Sequence, residues 1–195
     1  GFENFLLSMA ACPEMVRTIV DRMTDLYLEF NDTLFSLLNG KMDVYYFGSD
    51  FGVQNGLLFS QTMWEDFFYE NIKRLADLAH SYDLKVMMHS CGAISQLIPM
   101  LIDAGIDILD PIQTTAAGMD PHELSEQFGD KIVFHGGVDT QQVLPNESPE
   151  GVYQHSVEML DKLGSRRGYI FAPSQMLQSD VPIANIEAMY RAARE

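Results

Sequence analysis

The sequence repeats one rhythm five times: a short run rich in β-branched and aromatic residues, a polar loop, and an amphipathic helical pattern. The apolar runs are VYYFGSD (44–50), LKVMMHS (84–90), IDILDPI (106–112), KIVFHGG (131–137) and GYIFAPS (168–174). Strands that alternate with helices are typical of right-handed βαβ units, so the rhythm predicts a parallel sheet covered by helices. Since no linker or low-complexity stretch interrupts it, we expect one α/β domain over residues 1–195.

The helical segments carry recognisable start and stop signals. Asp120, Pro121 and Glu123 have the spacing of an N-cap, a first-turn proline and a capping-box glutamate, and Ser148 precedes a second proline in the same way. Gly164 marks a stop. We expect helices over residues 13–39, 60–80, 93–104, from 120 onward, 148–163 and 183–194.

Polar residues collect where each predicted strand ends. They are Ser49 and Asp50, His89 and Cys91, Asp110 and Gln113, His135 and Asp139, and Ser174 and Gln175. In open α/β sheets and in (β/α)8 barrels, ligands bind at the carboxyl ends of parallel strands. The pattern therefore predicts a ligand site along this edge of the sheet.

A histidine and a cysteine separated by one residue are the most reactive pair on that edge. On an extended strand, the side chains of His89 and Cys91 point to the same face. Imidazole and thiolate are both good zinc ligands, so a metal site is one interpretation. A cysteine nucleophile with His89 or His135 as its base is a second, and a buried thiol without chemistry is a third. The pair alone leaves the three interpretations open.

Other residues on the edge also have more than one interpretation each. Asp50, between Gly48 and Gly52, could accept a proton, orient a substrate or cap a turn. His135 precedes two glycines, where backbone can approach a ligand closely, but burial for packing is equally compatible with the sequence. Asp139 either contacts a ligand or caps the loop that follows.

Several aromatic residues and histidines look structural. Tyr45 and Tyr46 are expected to pack on opposite faces of the first strand. His80, His122 and His155 lie on predicted helices, and we expect them on the protein surface.

The charge balance restricts the possible partners and location. The net charge is −16, and no Lys/Arg cluster offsets it, which argues against nucleic acid as a ligand. No apolar run approaches the roughly 20 residues of a membrane span. Two cysteines cannot form a disulfide framework, and the opening segment is too acidic for a signal peptide. We therefore expect a cytoplasmic protein.

Four segments together resemble the uroporphyrinogen decarboxylase superfamily. They are GSDFGVQNGLLFSQTMWEDFF, VMMHSCGAI, IVFHGGVDTQQVLPNESPEGV and GYIFAPSQMLQSDVPIANIEAMYRAARE. They look more similar to its cobamide-dependent methyltransferase branch than to the haem-pathway decarboxylases. The resemblance implies a (β/α)8 barrel, which needs about 250 residues. With five βα units in the sequence, we expect the C-terminal part of such a barrel, whose exposed strand edges favour self-association or a partner chain.

The resemblance also implies a ligand set and a reaction. In the methyltransferase branch a His-x-Cys pair and a later cysteine hold zinc, and the pair matches His89 and Cys91. Zinc there activates a thiol, which takes a methyl group from methylcobalamin on a partner corrinoid protein. Gln175 stands where the later cysteine is expected, and an amide oxygen is a poor zinc ligand. Either Asp50 or His135 supplies the third contact, or the metal is weakly bound or lost.

The polar residues at the strand ends and the family resemblance together give the predicted roles and the alternative functions. The predicted metal ligands are His89 and Cys91, the predicted catalytic residues Asp50 and His135, and the predicted substrate-binding residues Ser49, Gln113, Asp139 and Gln175. One alternative is a lyase that decarboxylates a tetrapyrrole without a cofactor, although this chain places no arginine near a strand end. Another is a non-catalytic partial barrel that binds a tetrapyrrole or a corrinoid protein.

Overall fold

Within residues 1–38, 40–166 and 168–195, which the computed structural model describes, five strands form one parallel sheet. In chain order the strands are β1 (Val44–Gly48), β2 (Gly52–Val53), β3 (Gly56–Leu57), β4 (Lys85–His89), β5 (Ile108–Ile112), β6 (Val133–Val138) and β7 (Tyr169–Pro173). The sheet has the order β1-β4-β5-β6-β7, and β2 pairs with β3 in a separate antiparallel hairpin. The predicted α/β architecture is confirmed.

Helices connect the strands at nearly the predicted places. They are α1 (Phe2–Ala11), α2 (Pro13–Leu37), α3 (Gln61–Trp64), α4 (Glu70–Ser81), α5 (Ile98–Asp103), α6 (Pro121–Phe128), α7 (Val143–Asn146), α8 (Pro149–Leu163) and α9 (Ile183–Ala192). The predicted caps are present, because the Asp120 carboxylate accepts two N–H groups of α6 and the Ser148 hydroxyl accepts one from α8. Asn39, the predicted end of the helix before β1, lies outside the described residues.

Two predicted helices have a different internal structure. The helix expected over residues 60–80 contains a π-helical turn, Glu65–Tyr69, between α3 and α4. A π turn inserts one extra residue, which lets Trp64, Phe67 and Ile72 all face the interior. The segment expected to be helical from residue 93 begins instead with a 3₁₀ turn, and α5 starts only at Ile98. Pro99 fits there because a first-turn proline needs no N–H partner.

The core lies between the sheet and its helices. β5 is buried along its whole length, as expected for the central strand of a parallel sheet covered on both faces. A large apolar cluster packs α4, α5 and α6 around Leu109 and Phe134. A second cluster under α8 and α9 centres on Val152 and Met189. Tyr45 is buried while Tyr46 points to the other face and is exposed, as the alternation predicts.

Outside the site, the predicted surface positions of His80 and His122 are confirmed, since both are exposed, whereas that of His155 is wrong. His80 pairs with Asp107, with its Nε2 2.8 Å from a carboxylate oxygen. His155 on α8 is half-buried, and its Nε2 accepts the N–H of Asp139 at 3.3 Å. Burial lowers the pKa of His155, which suits this acceptor role.

One side of the molecule exposes an apolar stripe. Along α2, Ile19, Met23, Leu26 and Phe30 all point away from the core. β1 next to it is an edge strand, since among the described residues only β4 pairs with it. No helix in the described ranges combines the length and the hydropathy needed to cross a bilayer.

Candidate active site

One buried carboxylate organises the carboxyl edge of the sheet. Asp110 on β5 is 7% exposed and accepts hydrogen bonds from residues on three other strands of the sheet. Its Oδ2 lies 2.8 Å from His89 Nδ1 on β4 and 3.0 Å from the Tyr46 hydroxyl on β1. Its Oδ1 lies 2.5 Å from His135 Nδ1 on β6. Because parallel strands end at the same edge, side chains far apart in the sequence meet here.

The hydrogen bonds around Asp110 set the charges of the cluster. Burial raises the pKa of Asp110, but hydrogen bonds from His135, His89 and Tyr46 outweigh it and hold that pKa well below its usual range. The hydrogen bond to Asp110, followed by the one to Cys91, raises the pKa of His89 to about 10. Burial and the bond to Asp110 raise the pKa of Tyr46 to about 12, so its hydroxyl stays a donor.

Next to this carboxylate, three potential metal ligands face one another. One ligand atom each from Asp50, His89 and Cys91 lies within 4.8 Å of the other two. The His89 Nε2 is 3.4 Å from Cys91 Sγ and 3.5 Å from Asp50 Oδ1. The N–H of Cys91 also donates to Asp50 Oδ1 at 2.9 Å, so the loop after β4 holds the carboxylate that follows β1 in place.

The two distances from His89 Nε2 match those between ligand atoms of a tetrahedral zinc ion. Zinc bonds of about 2.3 Å to sulfur and about 2.0–2.1 Å to nitrogen and oxygen place tetrahedral ligand atoms roughly 3.4–3.6 Å apart. His89 also meets a requirement beyond distance, because its Nδ1 bonds to a carboxylate and its Nε2 faces the other ligands. Three protein ligands with a fourth position open are typical of catalytic rather than structural zinc.

Gln175 and His135 take different places around this group. The Gln175 amide nitrogen lies 2.7 Å from Cys91 Sγ, so the residue at the expected third-ligand position contacts the predicted pair. His135 instead bonds Asp110 through Nδ1. Of the two residues considered for the third contact, Asp50 is therefore the one grouped with His89 and Cys91.

Backbone packing fixes the loop that carries Cys91. Gly92 has φ +89°, and a Cβ there would lie 2.6 Å from the carbonyl carbon of Gly52 on the β2–β3 hairpin. A Cβ on Gly52 would in turn lie 2.8 Å from the carbonyl oxygen of Cys91. The hairpin and the loop thus touch main chain to main chain, which leaves no room for a side chain at either glycine.

A cleft of about 600 Å³ opens beside the cluster. His89, Asp110 and His135 are on one wall, and residues of β7, the following loop and α9 form the other. The lining residues are Tyr46, His89, Asp110, Pro111, His135, Ala172, Pro173, Ser174, Gln175, Met176, Leu177 and Tyr190. None of these described residues is a lysine or an arginine. Since Asp110 occupies His135 Nδ1, Nε2 is the ring nitrogen left for a ligand in the cleft.

The remaining predicted residues lie near the site but have structural partners. Gln113 uses both ends of its amide, accepting the Gly92 N–H at 3.0 Å and donating to Gln54 at 3.1 Å. Asp139 accepts three N–H groups of the loop after β6, which is the turn-cap alternative. Ser49 is exposed beside β1, and its N–H bonds the backbone of His89. Neither Asp139 nor Ser49 lines the described cleft.

Sequence reasoning missed the parts of the site that depend on pairing between strands. Tyr46 was assigned to packing, yet it precedes Gly48 by two residues, and Gly48 pairs with His89. That register places the phenol on the face of His89. Asp110 was placed on the edge without a role, although it pairs directly opposite His89. No local sequence signal marks Met176 or Tyr190.

Two curated proteins are similar in sequence to this chain. A methylated-thiol–coenzyme M methyltransferase of Methanosarcina mazei is 24% identical over 204 residues, which cover 100% of this chain and 48% of the relative. A uroporphyrinogen decarboxylase of Magnetococcus marinus is 23% identical over 188 residues, 94% of this chain and 49% of the relative. The chain thus spans about half the length of these curated relatives.

The fold comparison gives the same coverage. The solved structure of a methyltransferase from Methanosarcina mazei matches with a TM-score of 0.76 and 16% identity, over 100% of this chain and 53% of that one. This likeness confirms the fold prediction, a partial barrel of the TIM type. The family model described as uroporphyrinogen decarboxylase (URO-D) matches residues 1–195. The chain therefore belongs to the uroporphyrinogen decarboxylase family, whose named relatives are enzymes.

Proposed function

We propose that this chain carries the catalytic edge of a methyltransferase that moves a methyl group from methylcobalamin, on a corrinoid protein, to a zinc-activated thiol or similar acceptor. The observation that supports it most is the spacing of Asp50, His89 and Cys91, with Asp110 behind the histidine. Similarity to a curated methyltransferase and to the solved structure of a methyltransferase also favours methyl transfer over other reactions.

The proposed zinc site uses side chains that are already oriented. His89 Nε2, Cys91 Sγ and an Asp50 oxygen would hold the ion, and the Gln175 amide would donate to the Cys91 sulfur. Bound zinc would lower the pKa of an acceptor thiol, so that its sulfur is a nucleophile at neutral pH. Asp110, through its bond to Nδ1, orients the His89 ring and increases its basicity.

His135 is the proposed proton acceptor in the cleft. An acceptor thiol would give its proton to Nε2 of His135, and its sulfur would then form a bond to the methyl carbon. The electron pair of the broken Co–C bond stays on cobalt, so the products are a methyl thioether, cob(I)alamin and one proton. The apolar wall that includes Pro173, Met176 and Tyr190 would pack on the acceptor and exclude water.

Metal analysis and a methyl-transfer assay test the proposal together. Protein purified with added zinc should hold about one zinc per chain and convert methylcobalamin to cob(I)alamin when suitable thiols are supplied. Cys91→Ser should lose both properties, because a hydroxyl is a far weaker zinc ligand than a thiolate. Cys12→Ser is the matched control, since Cys12 is exposed on the link between α1 and α2.

Decarboxylation of a tetrapyrrole is the second candidate, favoured by the relative named uroporphyrinogen decarboxylase. The described cleft residues offer its carboxylates no lysine or arginine. Release of CO₂ from uroporphyrinogen by metal-free protein, unchanged in Cys91→Ser, would replace the methyltransferase proposal with this one.

A further inference from the structure

We propose that Asp110 is a positioning residue that fixes the tautomer of two imidazoles at once, so that each presents an Nε2 lone pair to a different neighbour. His89 directs Nε2 to Asp50 and Cys91, and His135 has Nε2 left for the cleft. The roles of these two nitrogens rest on the proposed function. Their tautomers rest only on the hydrogen bonds to Asp110.

The chemistry of a carboxylate explains the constraint. An ionised carboxylate can only accept hydrogen bonds, so a neutral imidazole that bonds to it must carry its proton on the bonded nitrogen. Both His89 and His135 meet Asp110 through Nδ1, at 2.8 and 2.5 Å. Asp110 is 7% exposed, which limits the access of water that could offer an alternative partner. Each ring in its neutral form, the form in which His89 would bind a metal, therefore has its proton on Nδ1 and its lone pair on Nε2.

The two oxygens of the Asp110 carboxylate accept different numbers of hydrogen bonds. Oδ2 accepts from His89 and from the Tyr46 hydroxyl, whereas the described contacts of Oδ1 are with His135 alone. An asparagine at this position has one acceptor oxygen and one donor NH₂. The oxygen is better placed on the side with two donors, because the opposite orientation would set NH₂ against both of them. The NH₂ then faces His135 Nδ1, which must become an acceptor and move its proton to Nε2.

This asymmetry predicts different outcomes for two substitutions at one position. Asp110→Asn should convert His135, but not zinc-bound His89, to the Nε2–H tautomer. The zinc affinity of Asp110→Asn should fall less than about tenfold, while its methyl-transfer rate should fall as far as that of His135→Gln. Asp110→Ala removes both contacts, and its zinc affinity should fall by about 10–100-fold, as for other losses of a carboxylate behind a metal-bound histidine.

Long-range ¹H–¹⁵N NMR of the imidazole nitrogens reads the tautomers directly, and competition with a chelator measures zinc affinity. A second variant tests the role of Tyr46. In metal-free Asp110→Asn combined with Tyr46→Phe, each side of the amide meets one donor, so the two histidines should show mixed tautomers. Asp107→Asn, at the other His–Asp pair of the sheet, is the control and should leave the nitrogens of His89 and His135 unchanged.

Two results would overturn the assignment. One is an Asp110→Asn protein in which His135 keeps its proton on Nδ1, and the other is equal loss of zinc in the asparagine and alanine variants. If wild-type protein binds no zinc, the proposed function fails on its own. The tautomer of His135 in metal-free Asp110→Asn then still decides the inference. Because asparagine matches aspartate in size, that variant keeps the test valid even if Asp110→Ala does not fold.

Discussion

Two histidine–aspartate clusters lie at opposite ends of the same pair of strands. At the amino ends of β4 and β5, Asp107 bonds His80 Nε2 at 2.8 Å and Lys85 Nζ at 3.2 Å. At the carboxyl ends, Asp110 bonds His89 and His135. The pKa of both carboxyl groups is lowered, for Asp107 because hydrogen bonds from His80, the Val86 N–H and Lys85 outweigh its burial.

The two clusters differ in the groups that surround their histidine rings. Among the described residues, the Asp107 cluster groups its histidine with a lysine and a backbone N–H, and no thiol or second carboxylate joins it. The Asp110 cluster leaves Nε2 of His89 facing Asp50 and Cys91 and borders a cleft. A histidine–carboxylate pair is therefore not a site by itself. The pair becomes a candidate site only where a ring nitrogen also faces other potential ligands and a cleft.

Removing one histidine from each cluster should give the largest contrast. We expect His89→Ala to lose stoichiometric zinc and at least about a hundredfold in methyl transfer, because a ligand of the proposed site is gone. His80→Ala should keep both. Elemental analysis and the cobalamin assay on the two purified proteins measure this, and equal zinc contents would remove the distinction between the clusters.

Removing the second histidine of the Asp110 cluster separates metal binding from proton transfer. His135→Gln should retain zinc but lose about 10²–10⁴-fold in methyl transfer, the usual contribution of a general base. Raising the pH should restore part of the rate, because an acceptor thiol then ionises without help. A variant that lost zinc to the same extent as His89→Ala would assign His135 to the ligand set instead.

Tyr46→Phe should have a smaller effect. It removes one hydrogen bond to the ionised Asp110 carboxylate, a type of contact that contributes about 1.5–3 kcal/mol to stability, and leaves both imidazole bonds in place. We expect zinc affinity and methyl-transfer rate to change by less than about tenfold. Tyr27→Phe, at an exposed position on α2, is the matched control. Complete inactivity of Tyr46→Phe would show that the phenol contacts the substrate.

The smallest effect concerns stability at the other end of the sheet. Asp107→Asn should lower the free energy of unfolding by about 1–3 kcal/mol at pH 7. A lowered carboxyl pKa stabilises the fold above the unfolded value near 4, and this contribution disappears as the pH falls through the folded pKa. Urea unfolding of both proteins at pH 7, 5 and 3 should show the difference shrinking only below pH 4. A constant difference would mean that the charge of Asp107 is not responsible.

The sequence was informative where structure is local. The five strands and the caps at Asp120 and Ser148 follow from short patterns, and the structure contains them. The placement of His89 and Cys91 on one edge follows from the alternation of side chains along a strand. The helix α1, the short helix α7 and the π turn were not predicted, because each is short or is stabilised by contacts distant in sequence.

The rest of the site depends on register and on long-range packing. Asp110 meets His89 because β4 and β5 pair at those residues, which no local pattern specifies. Asp50 had several possible roles, and only the hydrogen bond from the N–H of Cys91, distant in sequence, reveals that it lies beside that residue. The cleft wall from Pro173 to Tyr190 combines β7, a loop and a helix, so a single sequence does not reveal it.

The contact between Gly52 and Gly92 suggests how this site could be re-engineered. Since main chain packs directly on main chain at the Cys91 loop, exchanging side chains on the far wall of the cleft would leave this contact in place. Residues 173–177 lie on the opposite wall of the cleft and take no part in the contact between Gly52 and Gly92. A library confined to them could search for new acceptors while the proposed ligands stay fixed.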